Sequence, residues 1–158
     1  MIASFTFAAL ARTDLERRGN FAAVSSGTDY EYFVRDLLTA AGYSVRSVSQ
    51  ARLSPRYARP SKQVFRRVRV GGSCDLGADL LVTTPAGLVV IQCKFYSQPV
   101  GYSSVQEAYT ARALYSASHA VVCSNARFTR QARRTAAKLG VTLCGHGEIV
   151  ARLSNVKM

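Results

Sequence analysis

The chain has 158 residues, enough for one domain with its own core and too few for two of ordinary size, and at that length folding requires neither a disulfide nor a structural metal. Hydrophobic residues make up 48% and charged residues 19%, which excludes a disordered chain, and no apolar run approaches the roughly 20 residues of a bilayer span. Lys plus Arg total 21 against 9 acids, a net charge of +12 with 17 of the cations Arg, so the composition points to a polyanionic partner, nucleic acid before an anionic membrane.

Residues 1–26 form a leader with Arg12, Arg17 and Arg18. Its apolar opening has no basic residue ahead of it, so no export signal is expected. Thr28-x-x-Glu31 has the form of a capping box, and Tyr30, Phe33, Val34, Leu37, Leu38 and Ala41 recur at helical spacing until Gly42, which predicts the first helix. Tyr43–Val48 follows as a short strand. Residues 46–70 then hold eight cations and no acid: Arg46, Arg52, Arg56, Arg59, Lys62, Arg66, Arg67 and Arg69. Pro55 and Pro60 make the first half of this stretch a loop, and Val64–Val70 is β-rich. Ala78–Thr84 and Leu88–Phe95 flank Pro85-Ala86-Gly87 and predict an antiparallel hairpin.

Beyond the hairpin the pattern alternates between helix and strand. Ser103/Ser104 can cap a helix to about Ser116, with Val105, Ala108, Tyr109 and Ala113 inward. His119–Ser124 is a buried strand, Phe128–Leu139 a helix stopped by Gly140, Val141–Cys144 a strand, and Glu148–Leu153 a terminal helical turn or two. The expected fold is therefore α/β, a mixed central sheet with helices on both faces. The expected organisation is a leader over 1–26, a domain over 27–153 with a basic insertion at about 46–72, and a tail over 154–158.

Cys74, Cys93, Cys123 and Cys144 contain no C-x-x-C pair. With His119 and His146 they make a weak zinc pattern, and a reduced, cytoplasmic protein is expected. The informative stretch is Asp75-Leu-Gly-Ala-Asp79 followed by Gln92-Cys93-Lys94. Residues i and i+2 on a strand share a face roughly 7 Å apart, so Gln92 and Lys94 project together and Cys93 projects away. A hairpin turning at Pro85–Gly87 brings Asp79 opposite that pair. A carboxylate, an amide oxygen and an ammonium then converge, which suits phosphodiester hydrolysis around a hard divalent ion such as Mg²⁺. The ammonium can orient water or neutralise charge on the phosphate.

Gly27-x-x-x-Glu31, Gly42-Tyr43, Asp75-x-Gly-x-Asp79, Ile91-Gln-Cys-Lys94, Val100-Gly, Val105-Gln106 and the helix from Phe128, in that order over residues 27–150, resemble the catalytic domain of Mrr-type restriction endonucleases. That group lies within the PD-(D/E)XK nucleases, here with Gln in place of the second acid and Ala78 in place of the Pro. The resemblance implies a restriction-endonuclease-like fold and Mg²⁺-dependent DNA cleavage, with Mn²⁺ as a substitute. It implies Asp79, Gln92 and Lys94 as the active triplet, with Glu31 reaching in from the first helix. Asp79, Gln92 and the Cys93 backbone carbonyl would hold the metal, with Asp75 and Gln106 as further candidates.

Each assignment has a plainer alternative. A capping role would satisfy Glu31, and equally Gln106 and Glu107. Asp75 in a Gly-rich turn commonly bonds its own backbone. Arg130, Arg134 and Lys138 form a stripe that an ordinary solvated helix face explains as well as phosphate contact does. Eight cations without one acid are not an ordinary surface, so Arg52, Arg56, Arg59, Lys62, Arg66, Arg67 and Arg69 are expected to bind DNA. Target choice is expected to come from that arm, a homodimer partner or a further subunit. The rival functions are a nuclease of Holliday-junction-resolvase type and a catalytically silent DNA-binding module of the same fold.

Overall fold

The computed structural model describes residue 21, residues 24–48 and residues 77–155. The strand expected at Val64–Val70, Cys74, Asp75 and the cations Arg52, Arg56, Arg59, Lys62, Arg66, Arg67 and Arg69 lie outside the described residues, as do most of the leader and the end of the tail.

Helix α1 spans Gly27–Ala40. Its cap is not Thr28 but Ser26, whose hydroxyl accepts from the Asp29 N–H at 3.1 Å. Asp29 completes the box by accepting from the Ser25 N–H and hydroxyl. These hydroxyls hold the Asp29 carboxyl below its ordinary pKa, the Ser26 bond contributing most. The helix thus starts two residues before the Thr28 cap that the sequence suggests, which releases Glu31 from capping. Tyr30, Val34 and Leu38 are fully buried at i, i+4 and i+8, and Gly42 ends the turn at φ +91°, a conformation costly for any residue with a Cβ.

Strand β1 (Ser44–Ser47) pairs antiparallel with β2 (Leu80–Thr84), which pairs antiparallel with β3 (Gly87–Lys94) across Pro85-Ala86. Helix α2 (Tyr102–Leu114) crosses to β4 (His119–Ser124), parallel to β3, and α3 (Arg130–Leu139) crosses to β5 (Val141–Gly145), parallel to β4. Helix α4 (Ile149–Ser154) closes the chain's described part. The sheet order is β1-β2-β3-β4-β5. This is the mixed α/β sheet that the sequence predicts.

Side-chain parity divides the core in two. Leu80, Val82, Val89, Ile91, Val121 and Cys123 face α1 and α4 on one side. Leu81, Val90, Ala120 and Val122 face α2 and α3 on the other. The helices of the second layer meet the sheet through Val105, Ala108, Ala111, Ala132 and Ala136, small side chains that let backbones approach closely. Three details differ from expectation. Gly101, not a serine, precedes α2, and Ser104 is buried. Tyr109 and Ala113 face solvent while Ala111 faces the core, because the buried face follows 104, 105, 108 and 111. Thr129 caps α3, accepting from the Ala132 N–H at 3.1 Å, and Phe128 instead bridges to Val100.

Cys93, Cys123 and Cys144 stand side by side in the register of β3, β4 and β5 and are buried and free. Burial pushes the Cys93 thiol up, and the bond to Cys123 followed by burial does so for Cys144, so these thiols behave as packing groups. Above them the Tyr30 hydroxyl lies 3.5 Å from the Cys123 Sγ and 3.5 Å from His146 Nδ1. His146 stacks on Phe21 at 4.4 Å, a structural place rather than a ligand's.

Burial lowers the His146 pKa. The unfolded chain therefore takes up a proton near pH 6.5 that the folded chain resists. The stability this residue contributes is complete above about pH 6.5 and falls as pH drops through the lower, folded value. Urea midpoints should decline as pH falls below about 6.5 in the wild type and decline less in His146→Phe; parallel curves would show that His146 is not the group responsible.

Candidate active site

Asp79 is held at three points. Its N–H donates to the Ile91 carbonyl at 2.9 Å and its carbonyl accepts from the Val48 N–H at 2.8 Å. Its carboxylate Oδ2 accepts from the Cys93 N–H at 2.6 Å. The residue is only 6% exposed, and it joins the end of β1 to the end of β3. Asp79 thus bonds Ile91 through its backbone and Cys93 through its carboxylate, the two neighbours of Gln92 on β3.

Gln92 is 5% exposed and its Oε1 is buried without a hydrogen-bond partner among the described residues. Leaving such an acceptor unsatisfied costs about 1–3 kcal/mol. An orphaned amide oxygen, on a residue flanked by two bonds to Asp79, and that aspartate's carboxylate are donors of the kind a hard divalent cation accepts, so these residues fit the metal that the resemblance implies. Among the described residues no cluster of three or more His, Cys, Asp or Glu forms a metal site.

Lys94 projects from the same face as Gln92, and its Nζ lies 2.9 Å from Glu107 Oε2 on α2. Burial alone would lower the lysine's pKa. The Glu107 hydrogen bond and charge, with Tyr96 and Asp79, more than offset this and hold it above the ordinary value. Lys94 is therefore an ammonium throughout the neutral range, a fixed positive charge rather than a base.

Glu107, which the sequence allows as either a helix cap or a site residue, stands with this group. Helix capping is not its role. The signal available was its place between Ser104 and Ala111, both buried, which sets it at the edge of the inward face of α2. Gly77 fixes that edge. Its φ is +77°, and a Cβ there would stand 2.6 Å from the Glu107 carbonyl oxygen and 3.0 Å from the Glu107 Cβ. The Gly in Asp75-x-Gly-x-Asp79 is thus a close-approach glycine seating the turn on α2.

Glu31 lies on the α1 side, where its charge reaches the Cys93 thiol, so it meets the same end of β3 from the opposite face. Gln106 is exposed on α2, away from the ion pair that its neighbour makes. Arg130, Arg134 and Lys138 are all exposed along α3. Asp79, Gln92, Lys94 and Glu107 come together; Gln106 does not join them.

Residues 60–153 match the model of a family described as a restriction endonuclease, Mrr_cat. The match takes in Asp79, Gln92, Lys94 and Glu107 and leaves Glu31 outside. Comparison with curated proteins gives no match. Among solved structures, the crystal structure of a protein of unknown function, AF1548, is similar at 19% identity and a TM-score of 0.49, covering 73% of this chain and 55% of that one.

Gly77→Ala should destabilise the fold by about 2 kcal/mol or more, since a left-handed backbone with a Cβ costs about 1–3 kcal/mol before any clash. Denaturant unfolding checks this, and a variant as stable as the wild type would show that the turn does not rest on α2.

Proposed function

The chain belongs to the Mrr catalytic family of restriction endonucleases, and on that premise we propose that it is a Mg²⁺-dependent endonuclease that hydrolyses DNA phosphodiester bonds at Asp79, Gln92 and Lys94. The observation that carries this reading is the orphaned, buried Gln92 oxygen, on a residue whose two chain neighbours are bonded by Asp79 and which lies two residues from the Lys94 ammonium. Asp79, Gln92 and the Cys93 carbonyl would hold the ion, with Glu31 assisting from α1. Bound there, a divalent ion supplies a Lewis acid for the phosphate and lowers the pKa of water. Lys94 supplies a pre-oriented positive charge toward the charge that grows on the phosphoryl oxygens. Glu107 keeps it charged and in place. Burial of the group excludes competing water and strengthens each of these interactions.

Cleavage of supercoiled plasmid should require Mg²⁺ or Mn²⁺. Lys94→Ala should abolish it while DNA affinity stays within a few-fold, since one cation among 21 contributes little to total phosphate binding. Calorimetry should find ion binding weakened in Asp79→Asn and retained in Gln92→Glu. Cleavage without a divalent ion, or by Lys94→Ala, would refute the site; salt-sensitive binding with no cleavage would favour a silent DNA-binding module.

Charge placement supports DNA as the polyanion. Between Glu107 and Glu148 the sequence has no acid, and Arg127, Arg130, Arg133, Arg134 and Lys138 are exposed. We assign phosphate contact to this face together with Arg52, Arg56, Arg59, Lys62, Arg66, Arg67 and Arg69. If Arg130 and Arg134 each meet a phosphate, replacing both with Ala should shrink the slope of log affinity against log salt by about 1.8, at roughly 0.9 per contact. An unchanged slope in the folded double variant would assign α3 to solvent alone.

A further inference from the structure

Tyr96 stands out among the described residues as a large aromatic that the fold holds still and leaves in water. It is 47% exposed, the most exposed large hydrophobic side chain described. The rings of Tyr32 and Tyr109, also exposed, are each covered by an arginine of their own helix, Arg35 and Arg112. Among the described residues no cation and no second ring covers Tyr96.

Its backbone is nevertheless fixed. The ladder between β3 and β4 ends at Lys94 and Ser124, where the Ser124 hydroxyl donates to the Lys94 carbonyl at 2.7 Å. Beyond it, Asn125 takes over with its side chain. The Tyr96 N–H donates to Asn125 Oδ1 at 2.9 Å, and Asn125 Nδ2 donates to the Tyr96 carbonyl at 3.0 Å. A planar amide here imitates a peptide group and extends the pairing past the sheet. Each such bond contributes about 1 kcal/mol net, and a tyrosine has two side-chain torsions, so ordering its ring costs little entropy.

The place of the ring is informative. Tyr96 follows Lys94 by two residues, at the end of β3 where the Lys94 ammonium stands. On its other side the Asn125 turn leads into Arg127 and Arg130 at the start of α3. An exposed aromatic ring two residues from a site ammonium, on a backbone tied to the turn that leads into exposed arginines, has the composition of a nucleic-acid stacking platform, where rings hold bases and cations hold the backbone.

We infer that Tyr96 is a substrate-contacting residue: its ring packs on a base next to the phosphate held at Lys94, and Asn125 is its positioning residue. The inference rests on the nuclease reading above and names the substrate class for that site, a DNA strand with a base accessible to stacking, as at a single-stranded or distorted segment.

The test is equilibrium binding without divalent ion, so that no cleavage intervenes, using a fluorescein-labelled single strand and a strand carrying 2-aminopurine. Tyr96→Ala should weaken single-strand binding about tenfold or more, since one stacked base contributes about 1–3 kcal/mol, whereas Tyr96→Phe should stay within about twofold. The 2-aminopurine fluorescence should be quenched by the wild type and Tyr96→Phe and not by Tyr96→Ala. Asn125→Ala should weaken binding, and Tyr96→Ala with Asn125→Ala should add nothing to Tyr96→Ala alone, which a separate structural effect of Asn125 would not produce. Wild-type affinity and quenching in Tyr96→Ala would overturn the inference, as would equal losses in Tyr96→Phe and Tyr96→Ala. A wild type that binds and quenches yet never cuts with Mg²⁺ or Mn²⁺ removes the nuclease reading and leaves the stacking contact intact; a wild type that cuts beside an unaffected Tyr96→Ala removes the stacking contact alone.

Discussion

The hydrogen bond from the Cys93 N–H to the Asp79 carboxylate is the constraint on which the site depends. It can form in one register of the β2–β3 hairpin. A two-residue turn sets that register, with Thr84 paired to Gly87 and the Thr84 hydroxyl donating to the Gly87 carbonyl. A slip of one residue would turn every side chain of β3 to the other face. Cys93 would then point at α2, and Gln92 and Lys94 would point into the packed layer beneath Tyr30. Since both faces of this sheet are covered by apolar helices, the slipped arrangement would take the ammonium away from Glu107 and turn it into the apolar layer. Core packing and site assembly thus select the same register.

The polar groups at this strand end are treated unequally, and the inequality has meaning. Asp79 receives a backbone donor and Lys94 receives Glu107, whereas Gln92 Oε1 lies buried with no partner among the described residues. A fold selected for stability alone would place an apolar residue at 92, in line with Val89, Val90 and Ile91 before it. The cost is concentrated on one oxygen, beside a carboxylate. Local departures from packing rules at a point where the rest of the structure is consistent are the mark of a functional site.

Most of the fold was legible because its signals are local. His119–Ser124 is a strand with the bounds that its apolar run indicates, and the hairpin follows from alternation broken at Pro85. The convergence of Asp79 with Gln92 and Lys94 followed from strand parity and loop length, which are geometric. The errors also have physical sources. Ser25, Ser26, Thr28, Asp29 and Glu31 crowd one helix start, and sequence alone does not say which pair makes the box; the structure chooses Ser26 and Asp29. Tyr109 was assigned inward because an aromatic outweighs an alanine in any periodicity, yet α2 lies too close to α3 and the sheet for a ring, and Ala111 takes the place. The pairing of Glu107 with Lys94 is not legible because the two lie 13 residues apart, on a helix and a strand that a crossover brings together.

The same crossover explains how one small domain can separate holding a polyanion from acting on it. Close to the sheet, Lys94 has a short, partly buried bond to Glu107, an interaction that salt screens weakly. Along α3 and its lead-in the cations are exposed, and exposed charges act over a distance set by the Debye length, about 8–10 Å at ordinary ionic strength. The first arrangement fixes one charge in one place; the second spreads a field whose strength follows salt. Both are carried by segments that flank β4, one arriving at its start through α2 and one leaving its end through Asn125. The strand end is therefore where the broad attraction and the fixed charge meet, and Tyr96, tied to Asn125 and two residues from Lys94, stands at that junction.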